Sequence, residues 1–341
     1  MMKIKLPFII TFLIIVVLNI GCLLQLKHFA EKPLPIKQEI IFTLPPGTSR
    51  DGLEKLLRQK DLTRHVRWLP WLMGLEFKLA PVKAGTYRIK PGMTVRDLLK
   101  LLVSGKEAQF TIRFVEGSTI KDCLGVLAQA PYLKHDLKNI TPKALAEKWG
   151  YSMSSLLEGQ FYPDTYLYTA NTLDSTILKR ASQRMKATLS EIWKRRDEGL
   201  PYTSPKALLT MASIVEKETG VKEERARIAS VFINRLRAGM KLQTDPTVIY
   251  GLGDNYRGVI TRQDLIKPTP YNTYIITGLP PTPISIPSQA SLEAAAHPEK
   301  STYLYFVADG CGSHVFSTNL VHHNHAVQQY RQQKNEKEKH E

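Results

Sequence analysis

The stretch that decides the fold of the second half of the chain is SPKALLTMASIVEKETG, residues 204–220. Serine followed by proline is typical of a helix start, because serine caps the first free amides and proline fits the first turn. Glycine at position 220 is typical of a helix end. The sequence therefore predicts a helix, with one apolar face formed by residues at the helical period: Leu208, Met211, Ala212 and Val215.

Two glutamates, Glu216 and Glu218, lie near the end of this helix on either side of Lys217. The helical period places Lys217 opposite the apolar face and one glutamate at each edge of it. A carboxyl group beside apolar side chains has a raised pKa and can hold a proton near neutral pH, as protonation of a glycosidic oxygen requires. From the pattern alone, the alternative is that both glutamates are ordinary surface charges of a helix.

Downstream, the sequence predicts a second helix and then a proline-rich region. The second helix is expected from about Lys222 to Ala238, before Gly239. The following region holds seven prolines up to position 287 and is predicted to be irregular. Loops with so many fixed φ angles tend to build sites on a rigid scaffold. A hairpin of residues 303–308 and 314–317 and a last polar helix are predicted to complete the chain.

Upstream, a pattern of strand, glycine turn and capped helix recurs three times. Its turns are PGTS at 46–49, PGMT at 91–94 and EGST at 116–119, each followed by leucines or other apolar residues at helical spacing. The second copy, YRIKPGMT at residues 87–94, resembles the opening of a LysM glycan-binding module. The alternative is a generic packing unit without a ligand. A further long amphipathic helix is predicted at about 173–196.

The N-terminal segment predicts a membrane anchor. Residues 6–26 form a run of 21 residues without a charge, with Lys3 and Lys5 before it and Lys27 after it. This length spans a bilayer. A cleaved signal peptide is the competing interpretation, but the run exceeds a usual apolar signal core and no small-residue cleavage site follows it. Lysines on both flanks leave the orientation open, so we infer an outward-facing body only from the function argued below.

The charge balance favours a polyanionic partner. Lys and Arg outnumber Asp and Glu by 47 to 31, which gives a net charge of +16. Nucleic acid is not expected, because the basic residues are scattered rather than gathered in a stripe with aromatics. No cofactor and no metal are predicted: the sequence has no P-loop or dinucleotide fingerprint, its cysteines fit no ligand spacing, and no carboxylate or cysteine completes a site with the final-helix histidines. Those residues are Cys22, Cys123, Cys311, His322, His323 and His325.

Six separate motifs occur in order in the second half of the chain. Together they resemble the YceG-like (MltG) endolytic murein transglycosylases, and the similarity extends over nearly the whole chain. The resemblance implies that the second glutamate of the E-K-E-T motif, Glu218, is catalytic. The motifs are MASIVEKET at 211–219, VFINRL at 231–236, LQTDPTVIYG at 242–251, YNTY at 271–274, GLPP at 278–281 and AAAHP at 294–298.

The resemblance also implies a reaction. A lytic transglycosylase works with one carboxyl group, which protonates the glycosidic oxygen between MurNAc and GlcNAc and then takes a proton from the C6 hydroxyl as a 1,6-anhydro ring closes. Such a site must orient a sugar and stabilise positive charge at the anomeric carbon. The predicted sugar contacts are Gln243, Thr244, Asp245, Tyr271, Asn272 and Tyr274, although Asp245 could instead cap a turn and the tyrosines could belong to the core.

The predicted fold class is α+β, with a transmembrane helix, LysM-like βα subdomains and a mixed α+β catalytic domain. The predicted domains are an anchor with a cytoplasmic tip at 1–30, a LysM-like subdomain at 38–106, a connecting βα unit at 107–150 and the catalytic domain at 151–335. The expected substrate is the nascent glycan strand, whose elongation the cut would end, outside the plasma (inner) membrane. Wall-synthesis enzymes are expected partners.

Two other functions stay open at this point. The chain could be a peptidoglycan-binding scaffold without activity. It could also be a hydrolytic muramidase, with Asp245 or Glu158 as the second carboxylate that hydrolysis generally needs.

Overall fold

The computed structural model describes residues 6–63, 65–137, 139–150 and 157–340. The chain forms two compact units. The first comprises the chain up to Phe110 together with Leu167–Asn171, and the second comprises Thr111–Tyr166 and the chain from Thr172 onward. The predicted cytoplasmic tip at residues 1–5 and the first six residues of the predicted catalytic domain, 151–156, lie outside the described residues.

The first unit holds one long apolar helix and a small α+β core. Its elements are α1 Leu6–Glu31, β1 Ile40–Leu44, α2 Arg50–Gln59, α3 Leu69–Leu75, β2 Gly85–Ile89 and α4 Val95–Ser104. Strands β1 and β2 pair antiparallel, with Phe42 opposite Tyr87. Both side chains are buried, as are Leu53 of α2 and Leu98 of α4. The sheet therefore carries the apolar side on which the helices pack.

The predicted strand, turn and helix pattern is confirmed. Gly92 has a φ of +84°, which glycine adopts without steric cost, and Thr94 caps α4 in a capping box with Asp97. The third copy repeats the capping box with Thr119 and Asp122. Identification of the second copy as a LysM module stays a prediction, because the pattern alone does not identify a ligand.

Helix α1 has the length and composition of a membrane span. Within the described residues, Phe8–Glu31 is the one helix long and apolar enough to cross a membrane. Side chains from Phe8 to Gln25 are mostly exposed, whereas Leu26, Phe29 and Ala30 are buried in the core of the first unit. The helix thus runs without a break from the predicted anchor into a folded unit.

The second unit is mainly helical. Strands β3 Phe110–Arg113 and β4 Thr165–Tyr168 pair with each other, and each has residues in both units. The other elements of the second unit are α5 Ile120–Gln129, α6 Pro142–Lys148, α7 Asp174–Lys194, α8 Pro205–Glu218, α9 Arg225–Arg237, α10 Asp245–Leu252, α11 Arg262–Ile266, α12 Gln289–Ala296, the antiparallel hairpin β5 Tyr305–Ala308 and β6 His314–Ser317, and α13 Leu320–His340. The mixed α+β class is confirmed. The four predicted domains stay a prediction, because compactness alone does not identify them.

Helix α8 lies at the centre of the second unit. It packs against α7, α9, α10 and α12, and every side chain from Leu208 to Val215 is buried. The helix is therefore buried on more sides than the single predicted apolar face. Even Ser213 lies inside, where its hydroxyl donates to the Thr210 carbonyl and accepts from the Ile284 amide. The charged last turn is thus held by a rigid core.

The prediction of an irregular region after Gly239 was partly wrong. This region contains α10, α11 and α12. Pro246 does not prevent α10, because it occupies the first turn, where its missing N–H has no partner to lose. Thr261 and Ser288 cap the other two helices. The predicted helices of residues 173–196 and 222–238 and the final hairpin are confirmed to within a few residues.

Candidate active site

Glu218, the last residue of α8, lies in the wall of a cleft of about 470 Å³, which we call the Glu218 cleft. The helix ends here because Thr219 takes an extended backbone. The cleft is lined by Glu218, Phe232, Arg235, Leu242, Gln243, Asp245, Tyr274, Tyr305, Phe306, Leu320, His323 and Asn324.

The surroundings of Glu218 favour its protonated form. Burial raises the pKa of the Glu218 carboxyl, and the charge of Asp245 raises it further, while a hydrogen bond from the Thr244 hydroxyl to Oε1 and the charges of His314 and Arg235 act in the other direction. The side chain is nevertheless partly exposed, at the cleft. The raised pKa extends the pH range over which Glu218 keeps its proton, and the opening to the cleft lets that proton reach a bound molecule.

The segment that carries Gln243 and Thr244 is fixed from two sides. The Gln243 amide donates to the Thr273 carbonyl over 3.1 Å, and the Thr244 amide donates to the Thr273 hydroxyl over 3.0 Å. On the other side, the Arg235 guanidinium donates to the Leu242 carbonyl over 2.8 Å. Gln243 has a φ of +51°, in the left-handed region that few residues other than glycine adopt. This backbone conformation places Gln243 in the cleft wall and Thr244 against Glu218.

Asp245 and Tyr274 form a polar pair in the same wall. The Tyr274 hydroxyl donates to Oδ1 of Asp245 over 2.7 Å. Burial, with the nearby Asp245 carboxylate, raises the pKa of Tyr274. The phenol therefore stays protonated, and the pair offers both an acceptor and a hydroxyl to the cleft.

Three predicted contacts are placed outside the cleft lining: Thr244, which donates to Glu218, and the loop residues Asn272 and Tyr271. The Asn272 side-chain amide is buried and donates to three backbone carbonyls, those of Asp264, Leu265 and Lys267, over 3.2, 3.1 and 2.8 Å. The Tyr271 hydroxyl lies 2.7 Å from that of Thr282, and its ring meets the ring of Tyr250 at a centroid distance of 4.8 Å. Both residues hold the loop behind the cleft wall.

The other glutamate of the motif, Glu216, is a structural anchor. Its Oε2 accepts from the Ser288 amide over 2.9 Å, from the Ser288 hydroxyl over 2.5 Å and from the Ser291 hydroxyl over 2.7 Å. Its Oε1 lies 3.5 Å from the Arg225 guanidinium. These partners attach the end of α8 to the start of α12, so the two glutamates of the motif have different environments.

Sequence reasoning missed two groups in or beside the cleft. Arg235 lines it, and its guanidinium lies over the Tyr305 ring at 5.1 Å; an arginine within the apolar pattern of a predicted helix was the available signal. His323, which we expected to lie on an exposed polar helix, also lines the cleft and stacks on Tyr305 at 5.1 Å, which only the fold could show. His314, whose charge lowers the pKa of Glu218, is not among the cleft-lining residues, and its Nδ1 lies 2.7 Å from Oε2 of Glu224.

Glu158, one of the alternative second carboxylates, is not among the cleft-lining residues. It is buried, and its two oxygens accept from the Ile120 amide and the Tyr250 hydroxyl, each over 3.0 Å. Of the carboxylates considered at the sequence level, only Glu218 and Asp245 line the cleft.

Comparison with known proteins gives concordant matches. The sequence model of the YceG-like family matches residues 42–329. The chain is 32% identical over 323 residues to the endolytic murein transglycosylase of Bacillus subtilis (strain 168), covering 88% of this chain and 87% of that protein. It is 28% identical over 353 residues to the protein of the same name from Streptococcus pneumoniae serotype 2, covering 92% of this chain and 63% of that protein. The crystal structure of a putative YceG-like protein from Listeria monocytogenes has a TM-score of 0.54 and 30% identity, covering 85% of this chain and 99% of that one.

Proposed function

Because this chain belongs to the YceG-like family, we propose that it is a membrane-anchored peptidoglycan lytic transglycosylase in which Glu218 is the catalytic acid and base. Its enzyme class and its murein substrate are those in the names of its bacterial relatives. The observation that carries the assignment of Glu218 is its carboxyl group, partly exposed in the cleft and with a pKa raised by burial.

The reaction needs one carboxyl group at two stages. Protonated Glu218 donates its proton to the glycosidic oxygen between MurNAc C1 and GlcNAc O4, and the C1–O4 bond breaks. The C6 hydroxyl oxygen of MurNAc then bonds to C1, and its proton passes to the Glu218 carboxylate. The products are a GlcNAc with a free O4 hydroxyl and a 1,6-anhydroMurNAc end, and Glu218 regains its starting state without consuming water.

We assign the sugar contacts to the cleft wall around this acid. Gln243, Asp245 and Tyr274 present amide, carboxylate and hydroxyl groups to the cleft, and the Asp245 charge can stabilise positive charge that develops at C1. Thr244 orients Glu218 through its hydrogen bond. Asn272 and Tyr271 are proposed to keep the loop in place rather than to touch the sugar, because their polar groups are occupied within the protein.

The proposed location follows from α1. The helix has the composition of a membrane span, and murein lies outside the membrane, so the second unit is proposed to act on nascent strands at the outer face of the plasma membrane. A cut there would end strand elongation. A glycan-binding role for residues 38–106 and contacts with wall-synthesis enzymes belong to the same proposal.

The test is a digest of purified peptidoglycan with the full chain in detergent, because Leu26, Phe29 and Ala30 of α1 belong to the core of the first unit; the products are read by mass spectrometry. Fragments with anhydro ends are expected with the parent and absent with Glu218→Gln. Glu223→Gln is the matched control, because it makes the same change at an exposed glutamate five residues further on, and it should cleave normally. Fragments with water-added ends would instead support a muramidase using Asp245, and no cleavage by the parent would support a scaffold.

A further inference from the structure

Helix α3 of the first unit is apolar on both of its sides. Leu69, Leu72 and Met73 point into the core and are each 1% exposed. On the other side, Trp71 is 64% and Leu75 58% exposed. A surface helix usually has a polar outer side, and an exposed cluster of large apolar residues marks an interaction site. With Phe77, which follows α3 and is 73% exposed, these two side chains form what we call the Trp71 patch.

The contact between α3 and α1 fixes the height of this patch along the anchor. Residues 6–26 of α1 measure roughly 31 Å at about 1.5 Å per residue, close to the ~30 Å hydrocarbon core of a bilayer. The five residues of α1 beyond Leu26 add only about 7 Å, similar to one headgroup layer. Helix α3 contacts α1, whose side chains first become buried at Leu26, Phe29 and Ala30. With α1 spanning the bilayer as proposed above, the patch would lie at the level of the headgroups.

The chemistry of the patch suits that layer. Tryptophan is enriched at the membrane interface, because its ring is apolar and its N–H is polar. Exposed Lys78 and Lys100 line one depression with Phe77, of about 490 Å³. Lysines extend apolar stems along such a surface while their ammonium groups reach lipid phosphates. Glu76, in the same depression, is paired with Arg96, which offsets its charge.

We propose that the Trp71 patch is a second membrane contact, in which Trp71, Leu75 and Phe77 enter the headgroup layer of an anionic bilayer and Lys78 and Lys100 meet its phosphates. The proposal rests on α1 being the membrane anchor of the proposed function. A second contact beside the anchor restricts rotation of the first unit about the axis of α1. The first unit thereby gains a defined orientation to the membrane.

The test places a polarity-sensitive fluorophore at two positions of the full chain in vesicles of phosphatidylcholine and phosphatidylglycerol. Phe77→Cys carries it on the patch, and Val259→Cys is the matched control, since Val259 is also 73% exposed but belongs to the second unit. Cys22→Ser and Cys311→Ser remove the exposed native thiols, while Cys123 is buried. The expected result is a blue shift and quenching by spin-labelled lipid at position 77, with little change at 259.

Each other outcome overturns the proposal. Absence of a blue shift at position 77 would mean that the patch stays in water, and an equal shift at position 259 would mean that the fluorophore itself enters lipid. A shift at position 77 without lipid quenching, together with energy transfer between labelled copies, would mean that a second chain covers it. Loss of α1, seen in the intact mass, would remove the anchor on which the patch depends. Anhydro product formation is measured separately on the same samples, so failure of the proposed activity is distinguishable.

Discussion

The two sides of the last turn of α8 both hold a glutamate in a buried environment, but they differ in hydrogen bonding and access. On one side, Glu216 receives three hydrogen bonds from Ser288 and Ser291 and faces Arg225. On the other, Glu218 receives one side-chain hydrogen bond among the described residues, from Thr244, and faces a cleft. Burial alone therefore does not identify an acid; a candidate also needs an oxygen that a substrate can reach.

The largest expected effects come from making the same change on each side. Glu218→Gln should lower the rate of anhydro product formation by about 10²–10⁴-fold, the usual contribution of a general acid, without lowering the free energy of unfolding, since burial already disfavours the carboxylate. Glu216→Gln should instead lower that free energy by roughly 3–5 kcal/mol, because Arg225 loses its charged partner in a buried site. Urea unfolding and product assays on both variants measure the difference.

The contrast between the two sides fails if the two variants behave alike. Loss of activity without loss of stability in Glu216→Gln would make Glu216 part of the chemistry. Arg225→Met in the Glu216→Gln background serves as control, since removing the second charge should recover part of the stability.

A third buried carboxyl group, Glu158, extends the comparison to pH. Burial raises its pKa to about 7 from an ordinary 4.5, although the Ile120 amide and the Tyr250 hydroxyl both donate to it. Above pH 4.5 the unfolded chain loses this proton while the folded chain keeps it, so stability falls as pH rises and levels off above about 7. The total loss from this group is about 3 kcal/mol. Urea unfolding across this range should show a flatter pH dependence for Glu158→Gln, and parallel curves would contradict it.

Local patterns predicted α8, its serine cap and its two glutamates, because caps and apolar spacing act within one helix. They could not separate Glu216 from Glu218, since the partners of Glu216 come from α12, more than seventy positions away. Likewise, whether Asn272 faces a sugar or three carbonyls depends on how its loop folds back. The resemblance to a family singled out Glu218, and the fold added Arg235 and His323 to the cleft.

Asn272 and Gln243 were both predicted as sugar contacts, but we expect substitution of Asn272 to lower stability and substitution of Gln243 to lower activity. Asn272→Ala leaves three carbonyls without their donor and should destabilise the protein by about 1–3 kcal/mol. Gln243→Asn shortens the side chain in the cleft and introduces a residue type that adopts positive φ more readily than glutamine. It should lower kcat/KM by roughly two- to tenfold at unchanged stability. A lower kcat/KM at unchanged stability in Asn272→Ala would instead support Asn272 as a sugar contact.

The smallest expected effect is that of Tyr274→Phe, which removes the hydroxyl that donates to Asp245 and leaves the ring in the cleft wall. One lost hydrogen bond to a charged group costs about 1.5–3 kcal/mol. Solvent can reach Asp245 at the open cleft and should reduce this loss of free energy. We therefore expect a rise in KM of severalfold with little change in kcat. Tyr256→Phe is the matched control, because that hydroxyl donates to the Gly258 carbonyl in an exposed loop and its loss should leave both constants unchanged. A fall in kcat as large as that of Glu218→Gln would mean that the Tyr274 hydroxyl takes part in proton transfer, and the single-acid mechanism would then be wrong.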